Sequence, residues 1–442
     1  MNLYGRWRNF QHLLTAVWQV IKNGYPARDL TVIGVTGTDG KTTTTHLIGH
    51  ILSIAGYKTA VISTLGAFLD GEEIDTGLHV TTPDPRVMQS ILAQARQRGV
   101  THVVIETTSH GLDQHRVLGG NFKIGVVTNI THEHLDYHKT FERYREAKAK
   151  LLRGVKVAVL NQDDPSFDYL QQKASSDAKI ISYGSYDVSK HAMIVYKSVN
   201  LTPGGMEFEV KAEGKSMNFQ TKLIGEYNAA NILAAAGAVR SLNVAWDKIR
   251  EAVSSFAGLR GRMEVINEGK KFTVVVDFAH TPGSLENLLT ALGKIKPPKS
   301  KLIVAFGCPG QRDLGKRPLM GKAAAKLADF IILTADDPRT EDVERIIDDI
   351  TRGIRQEAQV WDGQTNWRKG GKWVVKVPER GEAIALAIQK LAAPGDIVAL
   401  CGKGHERSMA IDNMEYPWSD QEAARVSLKG GVKRMGDKIS NF

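Results

Sequence analysis

The chain alternates short apolar runs with longer segments in which apolar residues recur at helical spacing. From Leu30 onward, the short runs are rich in β-branched residues, as is typical of buried strands. The predicted strands are TVIGV (31–35), KTAVIS (58–63), THVVIE (101–106) and IGVVTNI (124–130), and the predicted helices lie near 42–56, 84–98 and 139–152. This alternation predicts a parallel sheet covered by helices, which is an α/β fold.

A second α/β series follows in the C-terminal part of the chain. Its predicted strands are FTVVVDF, KLIVAFG, DFIILTA and DIVALCG. Before it, residues 180–222 have a more strand-like pattern that predicts a small β insert, and residues 225–242 form an Ala-rich predicted helix. The Gly- and Arg-rich stretch 257–264 is the expected joint between domains. We therefore predict a short helical segment over 1–30, a central domain over 31–264 and a C-terminal Rossmann-like domain over 265–442.

The N-terminal segment differs from the rest of the chain. An apolar stripe at helical spacing predicts an amphipathic helix there. The stripe consists of Trp7, Phe10, Leu14, Val17 and Ile21. Such a helix can lie in a membrane interface or pack on the following domain, and packing on the domain is the alternative that we expect.

Composition and charge narrow the class of protein. With 42% hydrophobic and 24% charged residues, the chain has the composition of a globular protein. Its net charge of +10 comes from basic residues scattered among acidic ones, without the massed stripe that binding to a nucleic-acid backbone needs. No apolar run approaches the roughly 20 residues of a membrane span. The two cysteines and the lack of a signal-peptide pattern predict a cytoplasmic protein.

The stretch VTGTDGKTTTT, which begins at Val35, is a candidate phosphate-binding loop. A strict P-loop has Gly at the position of Val35, so this loop is a variant. It lies between a predicted strand and a predicted helix, where Gly37 and Gly40 allow backbone N–H groups to turn toward a phosphate. Lys41 is then placed to reach the terminal phosphates, and the Thr42 hydroxyl is placed to ligate magnesium. The pattern predicts a nucleotide site.

Polar residues follow two other predicted strands. Glu106 comes directly after four apolar residues and is expected to emerge from the end of its strand. A cluster after the next strand suits metal ligation or acid–base catalysis. The cluster consists of His132, His134, Asp136 and His138. Zinc is one alternative, but the phosphate loop favours magnesium, which prefers oxygen ligands.

Taken in order, the motifs of the chain resemble those of the Mur ligase superfamily. They are GVTGTDGKTT, TTP (81–83), ETTSHGLDQHR (106–116), TNITHEHLDYH, YREAK (144–148), GEYNAANILAA, GRME, DFAHTP (277–282), GCPGQRDLGKRP (307–318), DDPRTED (336–342) and GKGHE (402–406). The superfamily's own loop, G-T-x-G-K-T, needs no glycine at position 35. The resemblance implies an ATP-dependent enzyme that forms an amide bond through an acyl phosphate. The last three motifs are similar to those of the branch that adds a diamino acid to UDP-N-acetylmuramoyl-L-alanyl-D-glutamate in peptidoglycan precursor synthesis.

The resemblance also implies the residues that would bind ATP and its metal. The catalytic set is Lys41, Glu106, His134 and Lys148. The metal ligands are Thr42, Glu106 and His134, with Asn129 beside them and with Lys148 added if carbon dioxide converts it to a carbamate. The ATP contacts are Gly37, Thr38, Asp39, Gly40, Lys41, Thr42, Thr43, Asn231, Arg262 and Asp277. The implied cofactors are therefore ATP, Mg2+ and a carbamylated lysine.

The two other substrates have implied residues as well. Those for the UDP-muramoyl peptide are Thr81, Thr82, Thr108, Gln114 and Arg116, with Thr108 in place of the usual Ser. Those for the diamino acid are Arg312, Asp336, Asp337, Pro338, Arg339, Gly402 and Glu406. Arg339 favours meso-diaminopimelate, because a guanidinium group pairs with the distal carboxylate. Asp337, where the diaminopimelate-adding form has Asn, favours L-lysine, and of the two amino acids we expect diaminopimelate.

Superfamily members carry a UDP-binding domain ahead of the phosphate loop, and the loop comes much earlier in this chain. Three interpretations stay open. The uridine is held by the central domain and the N-terminal helix, a partner chain or oligomer supplies the missing contacts, or the acceptor has no conventional UDP group.

Three other functions compete with this one. A sister ligase such as folylpolyglutamate synthase is the nearest, but DDPR, GKGHE and HGLDQHR argue against it. A non-catalytic nucleotide-binding partner protein is the second, and the joint retention of the four catalytic residues opposes it. A nucleic-acid-binding module is the third and has the least support.

Overall fold

The computed structural model of the chain describes residues 3–74, 81–131, 133–189, 191–202, 204–266, 268–354 and 356–436, with the backbone alone for 3–8, 10, 135 and 136. The chain divides into two compact units. Unit 1 comprises residues 1–200, 205–222 and 226–256, and unit 2 comprises residues 201–204, 223–225 and 257–442. The expected three segments, with boundaries at 30 and 264, stay a prediction.

Unit 1 is built on a large sheet. Its strands are β1 Thr31–Thr36, β2 Thr59–Ser63, β3 Gly66–Leu69, β4 Glu72–Ile74, β5 His102–Glu106, β6 Phe122–Val127, β7 Val157–Asn161, β8 Lys179–Ser185, β9 Ile194–Thr202, β10 Gly205–Ala212 and β11 Lys215–Thr221. Within the described ranges they form one 11-stranded sheet in the order β11-β10-β9-β8-β7-β6-β1-β5-β2-β3-β4. Its centre, β7-β6-β1-β5-β2, is parallel, as the runs of β-branched residues predict.

The stretch 180–222, predicted as a small β insert, continues this sheet. β8 pairs with β7 in parallel, and β9 pairs with β8 in parallel. β10 and β11 then form an antiparallel pair. The stretch therefore forms strands, as predicted, but hydrogen bonding of β8 to β7 makes these strands part of the 11-stranded sheet.

Helices cover the faces of the first sheet. They are α1 Leu3–Lys22, α2 Lys41–Ile54, α3 Pro85–Gln97, α4 Ser109–Asp113, α5 Leu135–His138, α6 Phe141–Ala149, α7 Phe167–Lys173, α8 Tyr227–Arg240 and α9 Trp246–Ser255. Local sequence explains where α3 begins, because the Asp84 side chain accepts a hydrogen bond from the N–H of Arg86 at 2.7 Å and Pro85 follows as the first helical residue. The Ala-rich helix α8 is buried along most of its length.

Unit 2 has a second α/β sheet. Its strands are β12 Glu264–Ile266, β13 Thr273–Asp277, β14 Leu302–Phe306, β15 Phe330–Leu333, β16 Gln359–Val360, β17 Trp373–Lys376, β18 Ile397–Cys401, β19 Ser408–Ile411 and β20 Met414–Pro417. Seven described strands pair in the order β12-β13-β18-β14-β15-β17-β16, and β19 pairs with β20 in a separate hairpin. Apart from β12, the strands of this seven-stranded sheet are parallel.

The helices of unit 2 bury both faces of its sheet. They are α10 Pro282–Ile295, α11 Lys316–Leu327, α12 Val343–Thr351, α13 Arg380–Ala385 and α14 Asp420–Leu428. A reciprocal capping box between Thr281 and Ser284 starts α10. Successive side chains of β13 pack in two different apolar clusters, as expected for a strand. Val275 belongs to one cluster, and Val274 and Val276 belong to the other.

The predicted fold class is confirmed, since both units are α/β and rich in parallel strands. The N-terminal segment is helical, as predicted. The expectation that its apolar stripe packs on the domain was wrong for Leu14, Val17 and Ile21, which are exposed, because α1 packs through Ala16 and Val20 instead. In the part of the chain that the structure describes, no helix is both long enough and apolar enough to cross a membrane.

Candidate active site

The phosphate loop joins β1 to the first turn of α2. Gly40 precedes the helix with a φ of 77°, a left-handed conformation that favours glycine. A Cβ atom at Gly40 would lie 2.1 Å from Oδ1 of Asn231, and a Cβ atom at Gly37 would lie 1.8 Å from Oγ1 of Thr128. The loop therefore lies so close to α8 and to the segment after β6 that neither Gly40 nor Gly37 has room for a side chain. Behind it, the N-terminus of α2 presents the positive end of the helix dipole.

The segment after β6 holds the loop in place. The Asn129 carbonyl accepts from the N–H of Thr38 at 2.8 Å, and Oδ1 of Asn129 accepts from the N–H of Asp39 at 2.9 Å. The Thr128 hydroxyl donates to the Asp39 carbonyl at 2.6 Å. The position of Asn129 beside the metal ligands stays a prediction, and the contacts described here fix the backbone of the phosphate loop.

Thr42 and Glu106 are in direct contact. The register of β1 and β5 pairs Val35 with Glu106. The glutamate therefore lies at the edge of the sheet from which the phosphate loop emerges. The Thr42 hydroxyl donates to Oε1 of Glu106 at 3.0 Å, and the N–H and hydroxyl of Thr64 donate to Oε2 at 3.0 and 3.1 Å. The same Thr64 hydroxyl oxygen lies 3.0 Å from Thr81 Oγ1. A hydroxyl and a buried carboxylate side by side are the hard oxygen ligands that suit Mg2+.

Two lysines hold carbonyl groups of the loop. Lys41 Nζ donates to the Thr38 carbonyl at 2.7 Å, and Lys148 Nζ, from α6, donates to the Gly37 carbonyl at 2.5 Å. The Lys148 ammonium also lies 4.6 Å from the centre of the Tyr144 ring. Burial, and after it the charge of Lys41, holds the pKa of Lys148 well below its ordinary value. The neutral amine is therefore favoured at this position more than at a surface lysine.

His134 lies beside Glu133, a residue that the motif analysis did not select. Nε2 of His134 is 3.6 Å from Oε2 of Glu133, and the His134 backbone has a φ of 55°. The ring of His110 meets the ring of His134 edge-on, with centroids 4.9 Å apart. The Tyr144 hydroxyl lies 3.4 Å from Glu133 Oε2 and 3.0 Å from the Thr38 hydroxyl, so this group connects to the phosphate loop.

The other members of the predicted histidine cluster have different fates. His138 is buried, its Nε2 lies 3.0 Å from the Ser109 hydroxyl, and burial lowers the pKa of His138 to about 4. His138 is therefore a neutral side chain that joins α5 to α4. His132 and the side chain of Asp136 lie outside the described residues.

Four of the residues predicted for the UDP-muramoyl peptide form one hydrogen-bonded group. Thr82 Oγ1 accepts from the N–H of Thr108 at 2.9 Å. Arg116 donates to the Thr82 carbonyl at 3.1 Å and to Oε1 of Gln114 at 2.9 Å. The structure thus brings Thr82, Thr108, Gln114 and Arg116 together in unit 1.

Arg262 and Asp277, predicted as ATP contacts, belong to unit 2. The Arg262 guanidinium lies 4.5 Å from the centre of the Phe278 ring. The two carboxylate oxygens of Asp277 accept from the N–H groups of Met263 at 2.6 Å and Ala279 at 2.8 Å. Asp277 therefore ties the end of β13 to the segment that carries Arg262.

Three carboxylates surround the ammonium group of Lys403 in unit 2. Nζ donates to Oδ1 of Asp337 at 2.6 Å and lies 2.5 Å from Oε2 of Glu406. Asp336 belongs to the same cluster, in which carboxylate oxygens lie within 4.8 Å of one another. A Cβ atom at Gly402 would lie 2.3 Å from Oδ2 of Asp336. Burial raises the pKa of Glu406 to about 7 against the opposing charge of Lys403, and burial also raises the pKa of Asp336.

The backbone around this cluster is fixed by the hairpin strand β19. Asp337 has a φ of 43°, and its Oδ1 also accepts from the N–H of Ala410 at 3.0 Å. The N–H of Arg339 donates to the Ala410 carbonyl at 2.9 Å. Pro338 is buried, Arg339 is half-buried and Arg312 is exposed. Lys403 was not selected from the sequence, although the motif GKGHE contains it.

The buried residue Arg317 links the two loops that carry Arg312 and Arg339. Its guanidinium donates to Oε2 of Glu341 at 2.7 Å and to Oδ2 of Asp349 at 3.0 Å. The other oxygen of Glu341 accepts from the N–H of Gln311 at 2.5 Å. Glu341 lies in the loop after Arg339, and Gln311 precedes Arg312. We call these contacts of Arg317 with Glu341 and Asp349 the clamp around Arg317. The sequence analysis did not identify it, because nothing local marks Arg317 as buried.

The fold and the phosphate loop define a nucleotide-dependent α/β enzyme. A family profile described as Mur ligase middle domain matches residues 35–239, and one described as Mur ligase, glutamate ligase domain, matches residues 261–404. The chain belongs to the Mur ligase family. It is therefore an ATP-dependent ligase, as the motifs implied.

Curated relatives cover nearly the whole chain. Proteins named UDP-N-acetylmuramoyl-L-alanyl-D-glutamate--2,6-diaminopimelate ligase match from Geobacillus thermodenitrificans (38% identity, 92% of this chain and 80% of the relative), Trichormus variabilis (42%, 92% and 78%) and Pseudomonas aeruginosa (39%, 92% and 79%).

Solved structures agree in fold. A structure of a UDP-N-acetylmuramoyl-L-alanyl-D-glutamate--2,6-diaminopimelate ligase matches with a TM-score of 0.64 and 33% identity, covering 91% of this chain and 79% of that one. Mycobacterium tuberculosis folylpolyglutamate synthase matches with a TM-score of 0.71 and 17% identity, covering 88% and 92%. At that identity, the second likeness shows the fold alone.

Proposed function

We propose that this ligase adds a diamino acid, with meso-diaminopimelate favoured over L-lysine, to UDP-N-acetylmuramoyl-L-alanyl-D-glutamate in peptidoglycan precursor synthesis. The observation that carries the proposal is the 38–42% identity, over 415 and 412 residues, to ligases named for 2,6-diaminopimelate. The local structure of unit 2 supports it, because Arg339 belongs to the same loop as Asp336 and Asp337, two members of the carboxylate cluster. A cation and nearby anions match an amino acid whose distal end carries both a carboxylate and an ammonium group.

The chemistry needs ATP because a carboxylate is a poor acyl donor. A carboxylate oxygen of the acceptor attacks the terminal phosphorus of ATP, and the bond to ADP breaks. The amine nitrogen then attacks the acyl phosphate carbon, phosphate leaves with the bonding electrons, and the nitrogen gives up a proton. Alignment and neutralisation of charge on the phosphoryl oxygens are the main contributions of the protein.

The loop from Gly37 to Thr43 is assigned to the phosphates of ATP. Its backbone is shaped by Asn129 and its lysine, Lys41, is assigned to the terminal phosphates. Thr42 and Glu106 would hold Mg2+, with His134 as a further ligand. The ion, when bound, neutralises negative charge on the transferred phosphoryl group.

Lys148 is assigned as a carbamylated lysine. Its neutral amine would attack carbon dioxide and lose a proton, which leaves an N-linked carbamate anion. Support comes from the lowered pKa of Lys148 and from the charge of Lys41 nearby. An anion at this position would replace repulsion between two ammonium groups by attraction, and the remaining N–H could still donate to the Gly37 carbonyl.

The remaining ATP residues are assigned by position. Asn231, which packs on the loop at Gly40, is assigned to the adenine side. Arg262 is assigned to the phosphate side, and Asp277 to the ribose or to domain closure. The contacts of Asp277 with the N–H groups of Met263 and Ala279 position the segment of Arg262.

Thr81, Thr82, Thr108, Gln114 and Arg116 are assigned to the UDP-muramoyl peptide. Support comes from the hydrogen-bonded group that four of them form, which presents hydroxyl and guanidinium groups together. A partner chain or an oligomer that adds contacts to the uridine is part of the proposal, and light scattering with and without the acceptor tests it. Because the reaction consumes ATP, we place it in the cytoplasm.

The experiment is phosphate release from ATP and Mg2+ with UDP-N-acetylmuramoyl-L-alanyl-D-glutamate and either meso-diaminopimelate or L-lysine, with the products identified by mass. A tripeptide product with faster turnover of diaminopimelate is the expected result. Faster turnover of lysine would overturn the amino-acid assignment. Absence of turnover with both amino acids would overturn the acceptor.

A further inference from the structure

The outer face of α1 is apolar. Leu14, Val17, Trp18 and Ile21 are exposed at helical spacing, with 54% of Leu14 and 61% of Trp18 accessible to solvent. The opposite side of the helix buries Ala16 and Val20 in unit 1. A helix on a protein surface ordinarily turns its polar side to water. α1 therefore has two apolar sides, and the structure accounts for one of them.

The first 28 residues of the chain carry charge of a single sign. The first 28 residues contain four cationic residues and neither Asp nor Glu. The cationic residues are Arg6, Arg8, Lys22 and Arg28. The first acidic residue, Asp29, lies 3.1 Å from the guanidinium of Arg96 and is thus neutralised within the fold. Of the cationic residues, Lys22 in α1 and Arg28 shortly after it are exposed.

We propose that α1 docks this ligase on an anionic lipid surface. Trp18, and Tyr25 just beyond the helix, are exposed, and their rings are suited to the boundary between acyl chains and headgroups. Lys22 and Arg28 would meet the phosphate groups of the lipids at the same depth. Leu14, Val17 and Ile21 would enter the acyl region, while α1 stays packed on unit 1 through Ala16 and Val20.

A second copy of the chain fits this face less well. A helix of 20 residues is about 30 Å long and about 10 Å wide, so its outer face covers about 300 Å². A stable interface between proteins buries about 800 Å² on each partner. Two copies packed through this face would also bring cationic helices together, which like charges oppose. A lipid surface requires neither a large buried area nor the approach of a second cationic helix, since a bilayer adapts to a single helix.

Vesicle co-sedimentation tests the proposal on the whole protein. Wild type should bind vesicles that contain phosphatidylglycerol at least about tenfold more tightly than vesicles of phosphatidylcholine, and high salt should weaken the binding. The variant Trp18→Ser/Ile21→Ser should lose at least about tenfold in affinity. A matched control, Val188→Ser/Met193→Ser, removes exposed apolar residues elsewhere in unit 1 and should bind as wild type does.

Three results would overturn the proposal. They are an absence of binding to anionic vesicles, equal binding by the Trp18/Ile21 variant, and a lipid-free oligomer that this variant dissociates. Ligase turnover measured without lipid is expected in all three proteins, because the proposed catalytic residues Lys41, Glu106, His134 and Lys148 are unchanged in each. That measurement separates failure of lipid binding from failure of the proposed reaction.

Discussion

The ammonium group of Lys148 lies 2.5 Å from the carbonyl oxygen of Gly37, the first glycine of the phosphate loop. The two residues come from α6 and from the loop after β1, and the contact is fully buried. A lysine here has little water to stabilise its charge, so its pKa is lowered. The lowered pKa favours the neutral amine, which is the form that the proposed carbamylation of Lys148 requires.

The carbamate assignment predicts that activity depends on carbon dioxide. Depleting bicarbonate from the assay should lower kcat, and adding it should restore kcat. The variant Lys148→Ala should lose about 10²-fold in kcat, and short carboxylic acids should restore part of it by replacing the missing anion. A carbamate signal in 13C NMR, present in wild type and absent from Lys148→Arg, provides the direct measurement. Full activity of Lys148→Arg would contradict the assignment.

The loop geometry predicts different outcomes for two glycine substitutions. Gly40→Ala should weaken ATP binding by at least about tenfold, because its Cβ would lie 2.1 Å from Asn231 Oδ1. Gly56→Ala is the control, since Gly56 has a φ of 91° with no atom within 4 Å of the added Cβ. Both variants should lose about 1 kcal/mol of stability from left-handed backbone strain. Titration of ATP binding by calorimetry distinguishes them, and equal ATP affinities would contradict the prediction.

The clamp around Arg317 predicts that Glu341 positions the diamino-acid loops. Glu341→Gln weakens the ion pair and the hydrogen bond to Gln311, so the KM for the diamino acid should rise about tenfold while the KM for ATP is unchanged. Asp349→Asn weakens the other ion pair of Arg317, at 3.0 Å, but touches neither loop. Its KM values should stay near those of wild type. Similar effects of the two substitutions on every KM would indicate a role in stability alone.

The choice of amino acid is predicted to depend on Arg339 and Asp337 in opposite ways. Arg339→Ala should lower kcat/KM for diaminopimelate about 10²-fold and that for lysine much less, because lysine has no distal carboxylate to pair. Asp337→Asn should keep the hydrogen bond from Ala410 but lose a negative charge, which disfavours lysine. The ratio of the two kcat/KM values measures both effects. Equal losses for the two amino acids in Arg339→Ala would refute the assignment.

The raised pKa of Glu406 predicts that binding of the diamino acid depends on pH. Its pKa is raised to about 7, so the carboxyl group is mostly protonated at pH 6 and mostly charged at pH 8. An ammonium group binds the charged form, and the KM for the diamino acid should therefore fall about tenfold over this interval. The same profile measured for Glu406→Gln separates this effect from protonation of the substrate amine. A parallel fall of KM in that variant would exclude Glu406 as its cause.

The sequence by itself determined the α/β class, the phosphate loop and the family. Each of these depends on residues that are close along the chain, namely β-branched runs, a glycine-rich turn before a helix, and motifs in a fixed order. The predicted strands of both units are present for that reason. The roles of individual site residues stay predictions that the experiments above test.

Only the tertiary structure decided which residues surround those motifs. β1 pairs with β5 and β6, and this brings Glu106 to Thr42 and Asn129 to Asp39 across long stretches of chain. Lys403 meets Asp337 through the order of strands in unit 2. These contacts depend on strand order and burial, which the local pattern of hydrophobic and polar residues does not encode.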